Sequence, residues 1–444
     1  MRNQILKTFC KMIMVLFVSA IVGTMLLSVA YSLPTDGIKK NVQKSVGQLV
    51  LEGDHFSVFP CLEYTDFDNY SDAHYLNAAM VDNSAKGFFT GLYGLEYENA
   101  DAQIAYDSPV TVLSNVFLDD SNLQYKESEK RFWNGYEIIV KPLMMVFTYG
   151  QVRNINFCLE IALLMLLILL MHKRHLARFA IPLVISYLLL GPVTMASSMA
   201  FSGFLYCTYI PCVLIMVFNN KIKQKKLYPL FFMVTGICVA YFNMNYIQLI
   251  SFAYALVFCC LMNGFPKRRK DAAIAFIVFF ACWFMGFAGM YIMKWIVYEL
   301  FTGLPLISNM IARTLYRISA TAYYTGPPIS RYLAVYLNIR YLIMNIPWIG
   351  MELVYISYLL YKAKKTNRGS KLSQRIRLNG PVLVLLSLMA VLVLLRYFIF
   401  ANHVYVHAWV TYRIADAAVL LFNVAFTYIV FGAQYEKIPE ADEV

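Results

Sequence analysis

The feature that most constrains this chain is a series of long apolar runs, each near the length that crosses a bilayer. A transmembrane helix needs about 20 consecutive apolar residues to cross a hydrocarbon core of roughly 30 Å. Hydrophobic residues make up 60% of the sequence and charged residues 14%, which excludes an ordinary soluble globular protein. We predict about ten transmembrane helices, at approximately 12–33, 154–171, 179–196, 199–219, 227–244, 247–264, 272–297, 341–361, 380–400 and 414–432.

The positions of lysine and arginine indicate how these helices are oriented. The short segments MHKRHLAR, NNKIKQKK, PKRRK and YKAKKTNRGSKLSQRIR, together with both termini, hold more than half of the 38 basic residues. The positive-inside rule places such segments in the cytoplasm. We therefore predict a multi-pass membrane protein in which 1–33 is a signal-anchor first helix, because its apolar run is too long for a cleaved signal peptide. Residues 433–444 are then a cytoplasmic tail.

Three polar segments are left for the outer face. They are a large extracytoplasmic loop at 34–153, a second loop at 298–340 and a short hairpin at 402–413, with helices 2–7 in 154–297 and helices 8–10 in 341–432. The first loop holds most of the 26 acidic residues. The net charge of +12 is thus a signal of topology, and it does not indicate a nucleic-acid partner.

The start of the first loop carries a helical pattern. In DGIKKNVQKSVGQLVLEG, the side chains of Ile38, Val42, Val46, Leu49 and Val50 share one face at helical spacing. Such a face predicts an amphipathic helix that lies on the membrane surface beside the first span.

The next segment of this loop, CLEYTDFDNYSDAHYLNAAMVDN, concentrates carboxylates among tyrosines. We predict that Ser71 caps a helix running from Asp72 to about Val81. Asp66 and Asp68 then precede the helix, and Asp72 lies in its first turn. Three aspartates so close together are candidate catalytic acids, although helix capping or solvation explains any one of them equally well.

The hairpin NHVYVHAWVTYR is the third polar feature, at 402–413 between two apolar runs. A charged side chain at full membrane depth costs about 2.5–3.5 kcal/mol, so Arg413 requires water, a partner or a ligand. His403 and His407 are four residues apart and share a face if the segment is helical. The glutamate of an HExxH zinc motif is missing, so we predict no metal site here. A simple interfacial anchor is the alternative.

At the end of the first loop, RFWNGYEIIVKPL contains Arg131 among aromatic side chains. An interfacial aromatic belt with snorkelling basic residues is one interpretation of this run. A binding role for Arg131 is the other.

The order of these features resembles the GT-C fold, the polytopic glycosyltransferases that take sugars from polyprenyl-phosphate carriers at the outer face. YSDAHYLNAA, RFWNGYEIIVKPL and NHVYVHAWVTYR look like segments of poorly characterised bacterial membrane proteins of this class, written approximately YTDALMLN, RYWHGYLVFLRPL and NHSYIHAFFTYR. Two departures are Asn134, where the group has histidine, and Val404, where it has serine. The resemblance implies a bacterial plasma membrane with the active site outside.

The resemblance also implies a reaction and the residues that perform it. We expect an inverting glycosyltransferase that moves a sugar from a polyprenyl-phosphate donor to an extracytoplasmic glycan, lipid or protein. Asp72 is the expected base, with Asp68 and Asp66 as rivals. The donor phosphate and sugar are expected to contact the side chains of Arg413, His403, His407, Arg131, Tyr412 and Asn402.

Two alternatives stay open at this point. No cofactor is expected, although the Asp66-Phe67-Asp68 tripeptide is a DxD that could hold a divalent cation. A transporter or flippase for a lipid-linked saccharide is the competing function. Transporters more often show two similar halves, and this sequence shows no internal repeat.

Overall fold

A computed structural model of the chain describes residues 2–59, 62–100, 108–118, 122–242, 247–322, 327–365 and 372–431. The predicted cytoplasmic tail, 433–444, lies outside the described residues. Helix accounts for 80% of the described residues. The helices are α1 Arg2–Tyr31, α2 Asp36–Glu52, α3 Asn69–Ala79, α4 Thr90–Tyr93, α5 Pro109–Leu118, α6 Glu137–Val146, α7 Tyr149–Lys173, α8 Ala180–Leu190, α9 Pro192–Ser197, α10 Met199–Gln224, α11 Tyr228–Phe242, α12 Leu249–Asn263, α13 Arg269–Thr302, α14 Ile307–Ile318, α15 Arg331–Met344, α16 Ile346–Lys365, α17 Leu372–Leu378, α18 Gly380–Ile399, α19 Ala401–Val406, α20 Ala408–Thr411 and α21 Asp416–Phe431.

Several of these helices are long and apolar enough to cross a membrane. In the described part of the chain six stretches meet that condition, namely Phe9–Tyr31, Tyr149–Lys173, Met199–Gln224, Arg269–Thr302, Gly380–Ile399 and Ala408–Phe431. A seventh candidate is the pair α15 and α16, which bends by 76° at its break. The chain is therefore an all-α multi-pass membrane protein, as the apolar runs predict.

The predicted number of ten spans is not confirmed. Three of the predicted spans correspond to shorter helices, because α8 has 11 residues and α11 and α12 have 15 each. At 1.5 Å per residue, a 15-residue helix is about 22 Å long, which is short of the hydrocarbon core. Every residue of α12 from Leu249 to Leu261 is buried. Its all-round apolar surface therefore packs against protein.

The segment 34–153 folds into helices and two small antiparallel sheets. Strand β1 (His55–Ser57) pairs with β2 (Asp66–Asp68), and β3 (Leu95–Asn99) pairs with β4 (Leu123–Glu127). Helices α2, α3, α5 and α6 pack on one another beside the second sheet. The predicted amphipathic helix forms as α2, but its predicted position on the membrane surface is not confirmed. Its apolar residues Ile38, Val42 and Leu49 are completely buried in the protein core.

Polar contacts attach this segment to the spanning helices. Arg153 of α7 donates to the Glu52 carboxylate (2.8 Å), to the Asn69 side-chain oxygen (2.7 Å) and to the Ser197 carbonyl (2.8 Å). Lys141, which is fully buried, donates to the carbonyl of Ala79, the last residue of α3, and to that of Val81 just beyond it. Helix α3 is thereby held at both ends.

Candidate functional site

A cavity of about 460 Å³ lies where the three polar segments of the sequence meet. Its walls take side chains from β1, β2 and α3, from the turn after β4, from α14, and from α18, α19 and α20. Segments 34–153, 298–340 and 402–413 are far apart in the chain, and all three line this one cavity.

One side of the cavity, which we call the carboxylate wall, is formed by His55, Asp68, Tyr70 and His74. Asp68 is buried and caps α3, accepting from the Ser71 backbone N–H (3.0 Å) and from the Ser71 hydroxyl (2.8 Å). Burial raises the pKa of Asp68. The predicted cap was Ser71, so the helix begins three residues earlier than expected.

Aromatic rings continue from this wall across the cavity. The ring of His55 stacks near Tyr70, at 6.4 Å between centroids, and meets Trp409 of α20 edge-on at 4.9 Å. Tyr70 in turn meets His74 edge-on at 5.3 Å. Rings in such an arrangement offer flat apolar faces together with polar edges, which is the chemistry that a sugar ring contacts.

A second part of the lining, which we call the arginine wall, contains Arg313 and Arg317 of α14 and Arg396 of α18. Arg317 donates to the Asn402 side-chain oxygen at 3.2 Å. Asn402 is completely buried and donates in turn to the carbonyls of Thr321 and Ala322. Asn402 therefore joins α19 to the segment after α14 and orients one guanidinium.

Arg396 lies in the last turn of α18, at the end of a stretch that can span the membrane. Its guanidinium is 4.2 Å from the centroid of the Phe400 ring. Its buried Nη1 atom has no hydrogen-bond partner among the described residues. A buried donor of this kind is costly unless it is satisfied, so it favours an anionic ligand in the cavity.

His403 and His407 both line the cavity, with ring centroids 5.0 Å apart. Burial, followed by the nearby charges of Arg317, His55 and Arg313, lowers the pKa of His407 to about 3. His407 is therefore neutral at physiological pH and acts as a hydrogen-bonding group.

Asp72, the predicted base, does not line the cavity. It is completely buried, and its carboxylate accepts from the Tyr149 hydroxyl and from the backbone N–H groups of Met199 (2.8 Å) and Ala200 (3.0 Å). Those N–H groups belong to the first turn of α10, where unpaired N–H groups and the helix dipole favour a carboxylate. Burial raises the pKa of Asp72 to about 7. The contacts of Asp72 are those of a docking residue between α3 and α10.

Asp66 also lies outside the cavity wall, and its carboxylate accepts from the hydroxyl of Ser57 on the paired strand. Arg413 and Tyr412 point away from the cavity as well. Arg413 is completely buried and donates to the carbonyls of Leu190 (2.8 Å), Tyr64 (2.8 Å) and Trp409 (3.1 Å). The predicted phosphate ligand is thus occupied by the backbone of three segments.

Tyr412 belongs to a separate hydrophobic cluster with Tyr64 and Trp348. Its ring stacks on Tyr341, with the centroids 6.1 Å apart. It therefore packs the protein interior, and it does not contribute to the cavity wall.

Arg131 lines the cavity and donates to both oxygens of Glu129, at 3.0 Å each. Phe132 of the same motif also lines the cavity, and the residues after it pack the chain. Asn134 adopts a left-handed backbone conformation with φ of 55°, which asparagine tolerates better than most residues. The backbone N–H of the next residue, Gly135, donates to the Tyr241 carbonyl at 3.0 Å. The motif thus turns the chain sharply against α11.

Sequence reasoning missed several residues of this cavity, including His55, His74, Glu129, Arg313, Arg317 and Trp409. Two of them carried a readable signal. Arg313 and Arg317 are four residues apart in α14, on a helix whose other face bears exposed Ile311 and Leu315. Periodicity alone could have placed both arginines on the polar face.

In the described ranges, no three side chains of His, Cys, Asp and Glu are grouped as metal ligands. Comparisons with protein-family models, curated proteins and solved structures found no significant match to this chain.

Proposed function

We propose that this protein is a membrane glycosyltransferase of the GT-C type, which moves a sugar from a polyprenyl-phosphate donor to a glycan, lipid or protein acceptor. The observation that carries the proposal is the single cavity with Asp68 on one wall and Arg396 on the other. This arrangement offers a carboxylate for the acceptor and cations for the phosphate within the same space. The resemblance in the three sequence motifs supports the proposal, because all three contribute to this cavity.

The arginine wall suits the phosphate of a lipid-linked donor. Guanidinium groups bind phosphate through paired hydrogen bonds, and such charge-assisted bonds strengthen as charge develops on a leaving group. Arg396 lies at the end of a stretch that can span the membrane, so a phosphate bound there keeps its lipid tail within reach of the bilayer. His403, Arg131 and Asn402 keep supporting roles in donor binding, the last by orienting Arg317.

Asp68 replaces Asp72 as the proposed acceptor-side carboxylate, because Asp68 lines the cavity and Asp72 is enclosed by donors. A carboxylate that orients or deprotonates an attacking hydroxyl contributes about 10²–10⁴ in rate. With the phosphate bound by the arginine wall and the acceptor held by Asp68, an acceptor that attacks opposite the leaving phosphate inverts the anomeric carbon. No cofactor is required for this displacement.

The proposed orientation places both termini in the cytoplasm and the cavity outside, in a bacterial plasma membrane. All three loop segments that form the cavity are those that the distribution of lysine and arginine assigns to the outer face. A donor presented in the outer leaflet would then meet the arginine wall directly. Besides the donor and the acceptor, the surrounding membrane lipid is the third proposed partner of the protein.

The test uses the purified protein in lipid nanodiscs with a series of polyprenyl-phosphate sugars and a cell-envelope extract as acceptor. Release of polyprenyl phosphate is the readout. Asp68→Asn should lower the rate at least a hundredfold, and Arg396→Met should raise the donor KM. Asp66→Asn is the matched control, since it neutralises a carboxylate of the same strand outside the cavity wall.

The proposal fails if the wild type releases polyprenyl phosphate from no sugar of the series, or if Asp68→Asn keeps the full rate. A protein that instead moves the intact lipid-linked saccharide across a vesicle bilayer is a transporter or flippase. That outcome is recognised by a fluorescently labelled donor that becomes protected from external reagents when it is moved across the bilayer of sealed vesicles.

A further inference from the structure

The carboxylate wall contains a second group with acid–base chemistry. His74, on the second turn of α3, lies with its Nδ1 atom 2.9 Å from both carboxylate oxygens of Glu96 on β3. Glu96 is buried, at 6% exposure, and His74 lines the cavity. With Nδ1 donating to Glu96, the other ring nitrogen, Nε2, carries the lone pair that can accept a proton.

This pair is not needed to hold α3 against β3. One turn further along α3, the Asn77 side chain donates to the Tyr97 carbonyl at 2.9 Å and accepts from the Tyr97 N–H at 2.8 Å. Those two bonds already fix the helix to the strand. A histidine backed by a buried carboxylate, in a cavity wall, is instead the arrangement in which an orienting acid sets the tautomer of a base.

Asp68 is already committed to the cap of α3. Both of its oxygens accept hydrogen bonds from Ser71, and although burial raises the pKa of Asp68, a proton on the carboxylate would weaken both of these bonds. An ionised Asp68 can accept one more bond from an acceptor hydroxyl and hold its oxygen in line with the anomeric carbon. The proton then requires a different destination.

We propose that His74 takes the proton of the acceptor hydroxyl, that Glu96 positions His74, and that Asp68 aligns the attacking oxygen. The inference rests on the proposed function and refines it. The acceptor oxygen forms a bond to the anomeric carbon as the bond from that carbon to the phosphate oxygen breaks. The proton moves to Nε2 of His74, and the polyprenyl phosphate leaves with the electron pair of the broken bond.

The charges around His74 suit this role. Burial is the largest single effect and opposes the charged imidazolium, but Glu96, Glu129 and Asp68 together outweigh it and raise the pKa of His74. Tyr70 meets the ring edge-on, and the Ser128 hydroxyl lies 3.4 Å from Nδ1. The imidazolium formed in the reaction is therefore stabilised, and it can lose its proton to water after the product leaves.

The kinetic experiment compares four variants in the nanodisc assay. His74→Gln should lower kcat at least a hundredfold while donor KM stays within about threefold, the range expected for loss of a general base. Glu96→Gln should move the acidic limb of the kcat/KM profile to lower pH, because the neutral amide no longer stabilises the imidazolium. Glu98→Gln is the matched control on the same strand, since Glu98 pairs with Lys126 at 2.8 Å, and its profile should not move. Asp68→Asn is the fourth variant.

The outcomes separate the two proposals. If the wild type is active and Asp68→Asn is not, but His74→Gln keeps the wild-type kcat, the glycosyltransferase stands and His74 is not the base. An unmoved pH profile in Glu96→Gln removes the positioning role of Glu96. Failure of the wild type to use any donor contradicts the proposed function itself.

A second measurement requires no substrate. Carbethoxylation by diethyl pyrocarbonate, mapped to each histidine by mass spectrometry across pH, follows the neutral imidazole. The exposed His172 and His175 are internal controls. His74 should react in the wild type with a midpoint above about 6.5, the ordinary pKa of histidine, because its pKa is raised, and Glu96→Gln should lower that midpoint. If Glu96→Gln leaves the midpoint of His74 unchanged, or if His74 never reacts, the proposed pairing of His74 with Glu96 in catalysis is overturned.

Discussion

Replacement of Arg413 by methionine distinguishes a ligand-binding arginine from a structural one. Methionine keeps much of the side-chain length and removes all of the donors. The guanidinium binds three backbone carbonyls, and those of Leu190 and Tyr64 belong to segments far from it in sequence. Each buried acceptor left without a partner costs about 1–3 kcal/mol. The expected loss for these two carbonyls is thus about 2–6 kcal/mol of the free energy of unfolding.

The assay is an SDS titration in mixed micelles, followed by tryptophan fluorescence. Arg396→Met is the matched control, because it removes a guanidinium that faces the cavity. Its stability should stay within about 1 kcal/mol of the wild type. Its affinity for a fluorescent polyprenyl-phosphate sugar should fall roughly 10- to 150-fold, the equivalent of about 1.5–3 kcal/mol for charge-assisted hydrogen bonds.

The opposite pattern would refute this reasoning. If Arg413→Met unfolds like the wild type but loses donor affinity, Arg413 is the phosphate ligand that its motif suggests. If Arg396→Met unfolds early and still binds donor, the arginine wall is a structural feature.

The remaining predictions concern charge and packing around the cavity. Because burial raises the pKa of Asp72 to about 7 from about 3.9 when unfolded, stability should fall as pH rises from about 4 to 7, and Asp72→Asn should remove this slope. The pKa of His407, lowered to about 3 from about 6.5, has the opposite effect: stability falls as pH drops below about 6.5, and His407→Gln should abolish that loss. Each slope is at most about 1.4 kcal/mol per pH unit. Because the Asp72 and His407 effects have opposite signs, they cancel in the wild type, and thermal melts of each single variant against pH should reveal them separately. Gly135→Ala should cost about 1–3 kcal/mol or more of unfolding free energy in the SDS titration, since a Cβ there would lie 2.5 Å from a carbonyl oxygen of α11. Asn402→Ala should weaken binding of the fluorescent donor about tenfold, because Arg317 loses its side-chain acceptor.

Local chemistry in the sequence indicated which segments matter, but not which side chain in each segment faces the cavity. In the aspartate cluster, both Asp68 and Ser71 suit an N-cap. The structure uses Asp68, and α3 therefore begins at Asn69. This moves Asp72 from the first helical residue to the end of the first turn, where its side chain contacts α10, while Ser71 and His74 face the cavity. Because the helix starts three residues earlier, Asp72 is a docking residue, and Asp68 takes its place as the proposed catalytic carboxylate.

Long-range contacts explain the other differences. Nothing near Arg413 in sequence shows that carbonyls at residues 64 and 190 surround it. The same limit applies to α12, whose apolar run is as consistent with a buried helix as with a span. The arginines of α14 could have been predicted, because their spacing of four residues places them on the polar face of an amphipathic helix.

The hairpin NHVYVHAWVTYR shows how one short motif serves two purposes. The helix breaks at His407, where φ is −111° and α19 gives way to α20. Before the break, His403 faces the cavity and Asn402 orients a cavity arginine. After it, Trp409 still lines the cavity, whereas Tyr412 and Arg413 turn into the protein core. Substitutions of His403, His407 and Trp409 should therefore act mainly on donor binding, and those of Tyr412 and Arg413 mainly on stability. A single scan of the motif that shows no such change between residues 409 and 412 would contradict this division.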